Sequence, residues 1–171
     1  SVKGTINNNK LELMQKLSNI LNGLSLKGLI GDRNVLVTNI MFDSRKVKKT
    51  TLFIAVKGTK VDGHDFIDKA IKLGANSIVC ELLPTELDPN ISYIHVEDSS
   101  FALGVISSNF YNNPSSKLKL IGVTGTNGKT TTVTLLYNLF KLLGHKVGLL
   151  STVINKIDDI EIPSTHTTPD A

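Results

Sequence analysis

Between an apolar run at residues 118–124 and a helix-like run that begins at Lys129, the chain reads Gly122-Val123-Thr124-Gly125-Thr126-Asn127-Gly128-Lys129-Thr130-Thr131. Glycines at three-residue intervals let the backbone fold tightly enough for several N–H groups to converge on one anion. A helix starting at that point aims its positive end at the same anion. Lys129 is then placed to reach the β and γ phosphates of a nucleotide, and the Thr130 hydroxyl to ligate Mg²⁺. The fit to G-x-x-x-x-G-K-[ST] misses one glycine, because Val123 stands at the first glycine position. The spacing G-x-x-G-x-x-G followed by Lys is not the dinucleotide fingerprint either. A glycine-rich strand-to-helix turn that binds nothing is the alternative, and the coincidence of loop, Lys-Thr pair and flanking elements weighs against it. The segment predicts a purine-nucleotide site, for ATP with Mg²⁺.

Such a loop needs a parallel sheet around it, and 171 residues allow either one domain or a small domain followed by the start of a second. With 40% hydrophobic and 20% charged residues, a packed core is expected rather than disorder. The net charge is +4, but Lys and Arg are scattered and only residues 45–49 are locally dense, so no nucleic-acid partner is implied. No run approaches the roughly 18 apolar residues of a membrane helix, and the polar start lacks the apolar core of a signal peptide. A cytoplasmic monomer without membrane contact is expected. The single cysteine, Cys80, lies in an apolar run and reads as a buried structural thiol. The chain opens without Met and closes on Pro169-Asp170-Ala171 with no element to end on, which suggests a fragment of a longer protein.

Leu11, Leu13, Met14, Leu17, Ile20, Leu21 and Leu24 recur at helical spacing, with Gly23 where a helix stop should be, predicting a first amphipathic helix. Strands are expected over 35–42 and 51–56, their outer ends meeting near the basic turn Asp43-Ser44-Arg45. A helix from Asp65 closed by Gly74, then a buried strand over 77–80, gives a βαβ-like unit. A strand over 91–96 follows, then a helix capped by Ser99 or Ser100. Residues 112–116 are turn chemistry, which places a domain boundary between 1–113 and 114–171. The second part reads as strand 118–124, helix 129–143 and strand 146–150, a βαβ crossover in a parallel sheet too short to be finished. The fold class is therefore α/β: a mixed N-terminal α/β domain followed by the first βαβ part of a P-loop parallel-sheet ATPase domain.

Residues 124–132 resemble the ATP loop of the Mur ligases, the family that builds the peptide of bacterial peptidoglycan, and that family's loop carries the same missing glycine. Asp43-Ser44-Arg45-Lys46-Val47, Leu52-Phe53-Ile54-Ala55-Val56-Lys57-Gly58 and Asp62-Gly63-His64-Asp65-Phe66-Ile67 follow the order seen in the N-terminal domains of the later ligases of the series. Ser151-Thr152-Val153 and Pro163-Ser164-Thr165-His166-Thr167-Thr168-Pro169-Asp170 resemble the member that adds the third residue. The resemblance implies a UDP-sugar (UDP-MurNAc) binding domain over 1–113 and the start of a central ATP-binding domain over 114–171. It implies an ATP-dependent ligase joining a diamino acid, L-lysine or meso-diaminopimelate, to UDP-N-acetylmuramoyl-L-alanyl-D-glutamate through an acyl phosphate.

Carried over by position, Gly125, Thr126, Asn127, Gly128, Lys129, Thr130 and Thr131 would hold ATP, with Lys129 acting on the transferring phosphate and Thr130 on Mg²⁺. Ser44 and the turn Thr59-Lys60-Val61 would contact the uridine diphosphate end, and Thr167 and Thr168 the muramoyl-peptide side. Plain readings stay open beside these: Ser44 as the cap of a turn after Asp43, Lys60 as a solvated charge, Thr167 and Thr168 as strand residues. The acidic magnesium ligand, the modified lysine and the amino-acid-binding domain of the family would lie beyond Ala171, so no turnover is expected from these residues alone. A folylpolyglutamate synthetase-like ligase would share the ATP loop but has no reason for the upstream stretches; a non-catalytic UDP-sugar binding module is the other alternative. His64, His95, His145 and His166 show no zinc-like spacing and read as structural or surface groups. Asp158, Asp159 and Glu161 read as a solvated hairpin turn.

Overall fold

The computed structural model describes residues 14–58, 61–158 and 160–163. The chain divides into two compact units, 1–117 and 118–171. In the first, the elements are β1 (Gln15–Lys16), α1 (Leu17–Ile20), β2 (Gly28–Ile30), β3 (Leu36–Val37), β4 (Asn39–Met41), β5 (Thr51–Ile54), α2 (Ile67–Leu73), β6 (Ala75–Cys80), β7 (Ser92–His95) and α3 (Ser99–Phe110). Five strands form one sheet in the order β2-β7-β6-β5-β4. The pairs β4–β5, β5–β6 and β6–β7 are parallel, and β2 closes the edge antiparallel to β7.

Side-chain alternation along the strands builds two cores, one on each face. Leu52, Ile54, Val79, Ile94 and Val96 point to the face covered by α1 and α3, where they pack with Leu17, Ile20, Ala102, Ile106 and Phe110. Phe53, Ala55, Ile78, Cys80 and Tyr93 point to the other face and pack with Ile67 and Ala70 of α2 and with Val47. Both faces of β5 and β6 are therefore buried, which is why those segments read as unbroken apolar runs. The βαβ unit β5–α2–β6 matches its sequence expectation, and Gly74 ends α2 in a left-handed conformation at φ 108°. Burial raises the Cys80 thiol to about 11, that of a structural rather than reactive group.

Several expectations are corrected. The long first helix is a four-residue turn, with Leu11 and Leu13 outside the described residues. Gln15 and Lys16 are instead extended against Leu36 and Val37, and Leu17 N and Ser18 N donate to Val35 O and Arg33 O. The helical spacing of Leu17, Ile20 and Leu21 still delivers all three to the core. The expected strand 35–42 is split at Thr38, whose N–H bonds to Thr50 O, so that Leu36–Val37 and Asn39–Met41 serve different sheets. Because β4 and β5 are parallel, their ends do not meet at the Asp43 turn; residues 42–50 run back across the sheet. Strand β2 has no counterpart in the sequence reading. The cap of α3 is Asp98, whose carboxylate accepts from Phe101 N at 2.9 Å, and not Ser99 or Ser100.

The second unit holds α4 (Lys129–Leu142), β8 (Gly148–Leu149), β9 (Ile154–Ile157) and β10 (Ile160–Pro163), the strands ordered β10-β9-β8 and all antiparallel. The α/β class holds, but the parallel crossover expected here is not among the described pairings. Residues 118–124 form no strand, and Leu118, Leu120 and Ile121 are exposed. A strand requires a partner for its backbone N–H and C=O groups, and no described strand supplies one. The hairpin β9–β10 turns at Asp158, which sits at φ 52°. There Glu161 pairs with Lys156, and Asp159 is outside the described residues.

The two-faced core sets a clear expectation. Replacing fully buried Ile54 by Ala should lower the unfolding free energy of the first unit by about 2–5 kcal/mol, while Phe101→Ser, at a residue 64% exposed, should change it by about 0.5 kcal/mol or less. Urea unfolding followed by far-ultraviolet circular dichroism measures both.

Candidate functional site

Four parallel strands end at one edge of the first sheet, and the segments that leave them carry its polar groups: 42–46 after β4, 55–66 after β5, Glu81 after β6, and 96–99 after β7. Clefts outside the carboxyl ends of parallel strands are the usual ligand sites of such sheets.

After β4 the chain turns through a 3-10 helix, Ser44–Lys46. Asp43 caps it: Oδ1 accepts from Arg45 N at 3.0 Å and from Arg45 Nε at 2.9 Å, and Oδ2 accepts from Nη2 at 2.8 Å. These bonds from Arg45 lower the Asp43 carboxyl to about 2. Asp43 is thereby committed to shaping the turn. Ser44 is buried at 7% exposure, and its hydroxyl makes no hydrogen bond among the described residues. The turn-capping role left open for Ser44 falls to Asp43, and the Ser44 hydroxyl keeps its capacity for another partner.

After β5 the chain makes a narrow turn whose stem is a bridge between Lys57 and Asp62 and a bond from Gly58 N to Val61 O at 3.1 Å. Val61 is 58% exposed; Thr59 and Lys60 lie outside the described residues. The glycines flanking the turn are sterically required. A Cβ on Gly58 would meet Val61 O at 2.7 Å, and one on Gly63 would meet Val56 N and O at 2.7 Å. Asp62 caps the following 3-10 helix, accepting from His64 N at 2.9 Å, and also contacts His64 Nδ1 at 2.6 Å. His64 N–H and then its ring lower the Asp62 pKa. On the other side of the imidazole, Nε2 accepts from Glu81 N at 2.9 Å. The Glu81 carboxylate accepts from Ser99 Oγ at 2.7 Å and Ser99 N at 2.9 Å, bonds that lower its pKa. His64 is thus a structural group inside the sheet edge. Glu81 was not singled out in the sequence, and Ser99 only as a helix cap; the signal for Glu81 is its position directly after the apolar strand β6.

In the second unit Gly128 precedes α4 in the left-handed region at φ 78°, a conformation that side chains with Cβ rarely adopt. The first bond of the helix is Thr132 N to Gly128 O at 2.9 Å, so the N–H groups of Lys129, Thr130 and Thr131 have no acceptor within it. Lys129 Nζ folds back onto its own loop, donating to Gly125 O at 2.5 Å and Thr126 O at 3.4 Å. Thr126, Asn127, Thr130 and Thr131 are exposed. Free first-turn N–H groups, a lysine over the loop and an exposed hydroxyl at Thr130 suit a nucleotide phosphate with its metal. Among the described residues no group of three or more His, Cys, Asp or Glu could hold a metal ion unaided. Thr167 and Thr168 lie outside the described residues.

An α/β unit with polar groups at its carboxyl edge, followed by a phosphate loop at a helix start, defines the class. The chain belongs to the Mur ligase family: the family's catalytic-domain model matches residues 36–115 and its middle-domain model residues 123–171. Within it, the chain is 57% identical over 157 residues to the UDP-N-acetylmuramoyl-L-alanyl-D-glutamate--2,6-diaminopimelate ligase of Cytophaga hutchinsonii, covering 91% of this chain and 32% of that protein. It is 54% identical over 155 residues to the ligase of the same name from Parabacteroides distasonis, with the same coverage. A solved structure of a UDP-N-acetylmuramoyl-L-alanyl-D-glutamate--2,6-diaminopimelate ligase shares the fold at a TM-score of 0.68 and 22% identity, over 91% of this chain and 31% of that one. The chain spans about a third of the length of the curated relatives it matches. No helix among the described residues is long and apolar enough to cross a membrane.

The Asp43 turn gives a pH prediction. The folded midpoint lies below the ordinary aspartate value of about 3.9, so its stabilising effect is complete above that pH and is lost as pH falls through about 2. Carboxyl ¹³C titration should find Asp43 near 2, and Arg45→Ala should return it toward the ordinary value.

Proposed function

We propose that the protein is an ATP-dependent ligase that joins 2,6-diaminopimelate to the D-glutamate carboxylate of UDP-N-acetylmuramoyl-L-alanyl-D-glutamate in peptidoglycan synthesis. The observation that carries this reading is the 57% identity to a ligase of that name, which runs through both units and includes the edge of the first and the loop of the second. Residues 1–113 form the domain that holds the UDP-muramoyl substrate, and residues 114–171 begin the ATP-binding domain. Ser44 and the turn at Val61, with Thr59 and Lys60, contact the uridine diphosphate end; Thr167 and Thr168 contact the muramoyl peptide. The protein works in the cytoplasm as a monomer, without nucleic-acid or membrane partners.

Bound Mg-ATP would supply the phosphoryl group that activates the carboxylate to an acyl phosphate, releasing ADP, and the amine of the diamino acid would then attack the acyl carbon and displace inorganic phosphate. The loop N–H groups and Lys129 hold the phosphates, exchanging the neutral acceptor at Gly125 O for a charged one. The Thr130 hydroxyl offers one oxygen to Mg²⁺. The first domain anchors the substrate by its nucleotide end, so that binding energy remote from the carboxylate is spent on positioning it. With about a third of its relatives' length, the chain alone supports binding and no turnover.

Calorimetric titration tests this. The chain should bind UDP-N-acetylmuramoyl-L-alanyl-D-glutamate saturably and more tightly than UDP-N-acetylglucosamine, with at least about a tenfold loss in Ser44→Ala, a cost of about 1.4 kcal/mol. Lys129→Ala should weaken Mg-ATP and leave the muramoyl dipeptide untouched. Mg-ATP binding with no response to any UDP ligand would overturn the assignment of the first domain.

A further inference from the structure

The segment that leaves β4 holds one cation in a fixed attitude. Arg45 donates from Nε to Asp43 Oδ1 at 2.9 Å and from Nη2 to Asp43 Oδ2 at 2.8 Å, and its backbone N–H bonds to the same Oδ1 at 3.0 Å. A guanidinium engaged along its Nε–Nη2 side keeps its Nη1–Nη2 edge, which carries two parallel N–H groups matched to a phosphate or carboxylate fork. That edge has no acceptor among the described residues, and the Arg45 side chain is 79% exposed. Its neighbour in the same 3-10 turn is Ser44, which is buried and whose hydroxyl bonds to none of the described residues. Hydroxyls so enclosed are normally partnered. Lys46 follows, exposed, and its charge also acts on the Asp43 carboxylate. The carboxylates of the neighbouring segments, Asp62, Glu81 and Asp98, are each engaged by a backbone N–H.

We propose that Arg45 binds the diphosphate of the uridine nucleotide in the substrate, gripping it through the Nη1–Nη2 edge beside the Ser44 hydroxyl. This rests on the reading above that brings the nucleotide end to Ser44. A nucleoside is read by hydroxyls and N–H groups and a diphosphate by cations, and this turn supplies both in adjacent residues. A free surface arginine gives up rotamer freedom when it grips an anion. Here Asp43 has already spent that ordering cost during folding, and it holds the planar fork in one orientation. Asp43 offsets part of the arginine's charge, and Lys46 restores the positive balance of the turn. Asp43 is thus a positioning residue, and Arg45 the group that touches the ligand.

The test titrates the 171-residue chain, Arg45→Gln and Arg45→Lys with UDP-N-acetylmuramoyl-L-alanyl-D-glutamate at low and high sodium chloride. Affinity should fall about tenfold or more in Arg45→Gln and less in Arg45→Lys. Raising the salt should weaken binding less in Arg45→Gln than in the unmodified chain, because one screened ion pair is gone. If Arg45 served only to shape the turn, its loss would lower affinity by the same factor at every salt concentration. That result overturns the proposal, as does undiminished affinity in Arg45→Gln, and both leave the proposed function standing. The Arg45 Nε–H resonance of the unmodified chain gives a check that needs no variant to bind. It should shift on saturation with the muramoyl dipeptide and not with uridine, which lacks the phosphates; an unmoved resonance, or an equal shift with uridine, overturns the proposal. No binding by the unmodified chain overturns the proposed function and the role of Arg45 with it.

Discussion

Parallel pairing of β4, β5, β6 and β7 is the constraint on which the first unit depends. Parallel neighbours force every connection to return across the sheet, so each strand releases its chain at the same edge. Four releases at one edge bring together backbone groups that have left the ladder and still need partners. The sheet interior offers none, since Leu52, Ile54, Ile78, Val79 and Ile94 are fully buried hydrophobes. The side chains that follow the strands supply them: Asp43 for Arg45 N, Asp62 for His64 N, His64 for Glu81 N, and Glu81 for Ser99 N. What looks like a collection of functional residues is first a solution to backbone accounting.

The loop before α4 solves a different problem. Here the unbonded N–H groups of the first helical turn are exposed to solvent, and Gly128 is the only residue among 126–130 that must be glycine for backbone reasons. Lys129 meanwhile satisfies its ammonium on Gly125 O and Thr126 O. In the proposed ATP site a phosphate would meet donors already aimed, and it would have to displace an internal bond to a neutral carbonyl in order to engage the lysine. The ammonium's bond to a carbonyl is ion to dipole, and a phosphate oxygen would add the attraction of opposite charges, so that exchange would favour the ligand.

The sequence was most legible where local chemistry and tertiary demand agree. The helix α2 ends at Gly74 and α4 begins at Lys129, as their glycines dictate, and the apolar runs at 51–56 and 77–80 became the two central strands. It was least legible where pairing decides. Gln15 and Lys16 sit in a helical pattern, yet they pair with Leu36 and Val37. Gly28–Ile30 is too short and too weakly patterned to announce itself, and it becomes a strand only because β7 presents a free edge. The run 118–124 has the composition of a buried strand, yet Leu120 is 92% exposed, because composition supplies no partner. At the site, the loop glycines and Lys129 were readable as backbone and charge requirements. The contacts joining His64, Glu81 and Ser99 were not, since they link positions 17 and 18 residues apart.

The stretches Val56-Lys57-Gly58 and Asp62-Gly63-His64 carry much of the likeness to the ligase family, and the structure changes what that likeness means. Gly58 and Gly63 are glycines because a Cβ at either would collide with backbone at 2.7 Å. Asp62 and His64 spend their polar atoms on the stem and on Glu81. The His64 imidazole is used on both nitrogens, and Asp62 commits Oδ1 to His64. Their pattern encodes the shape of the stem, and under the proposed function substrate contacts fall to Val61 and to the Ser44 hydroxyl, which bonds to none of the described residues. On that reading a change at Gly63 would alter ligand binding through geometry, while a change at Ser44 would act on the ligand directly.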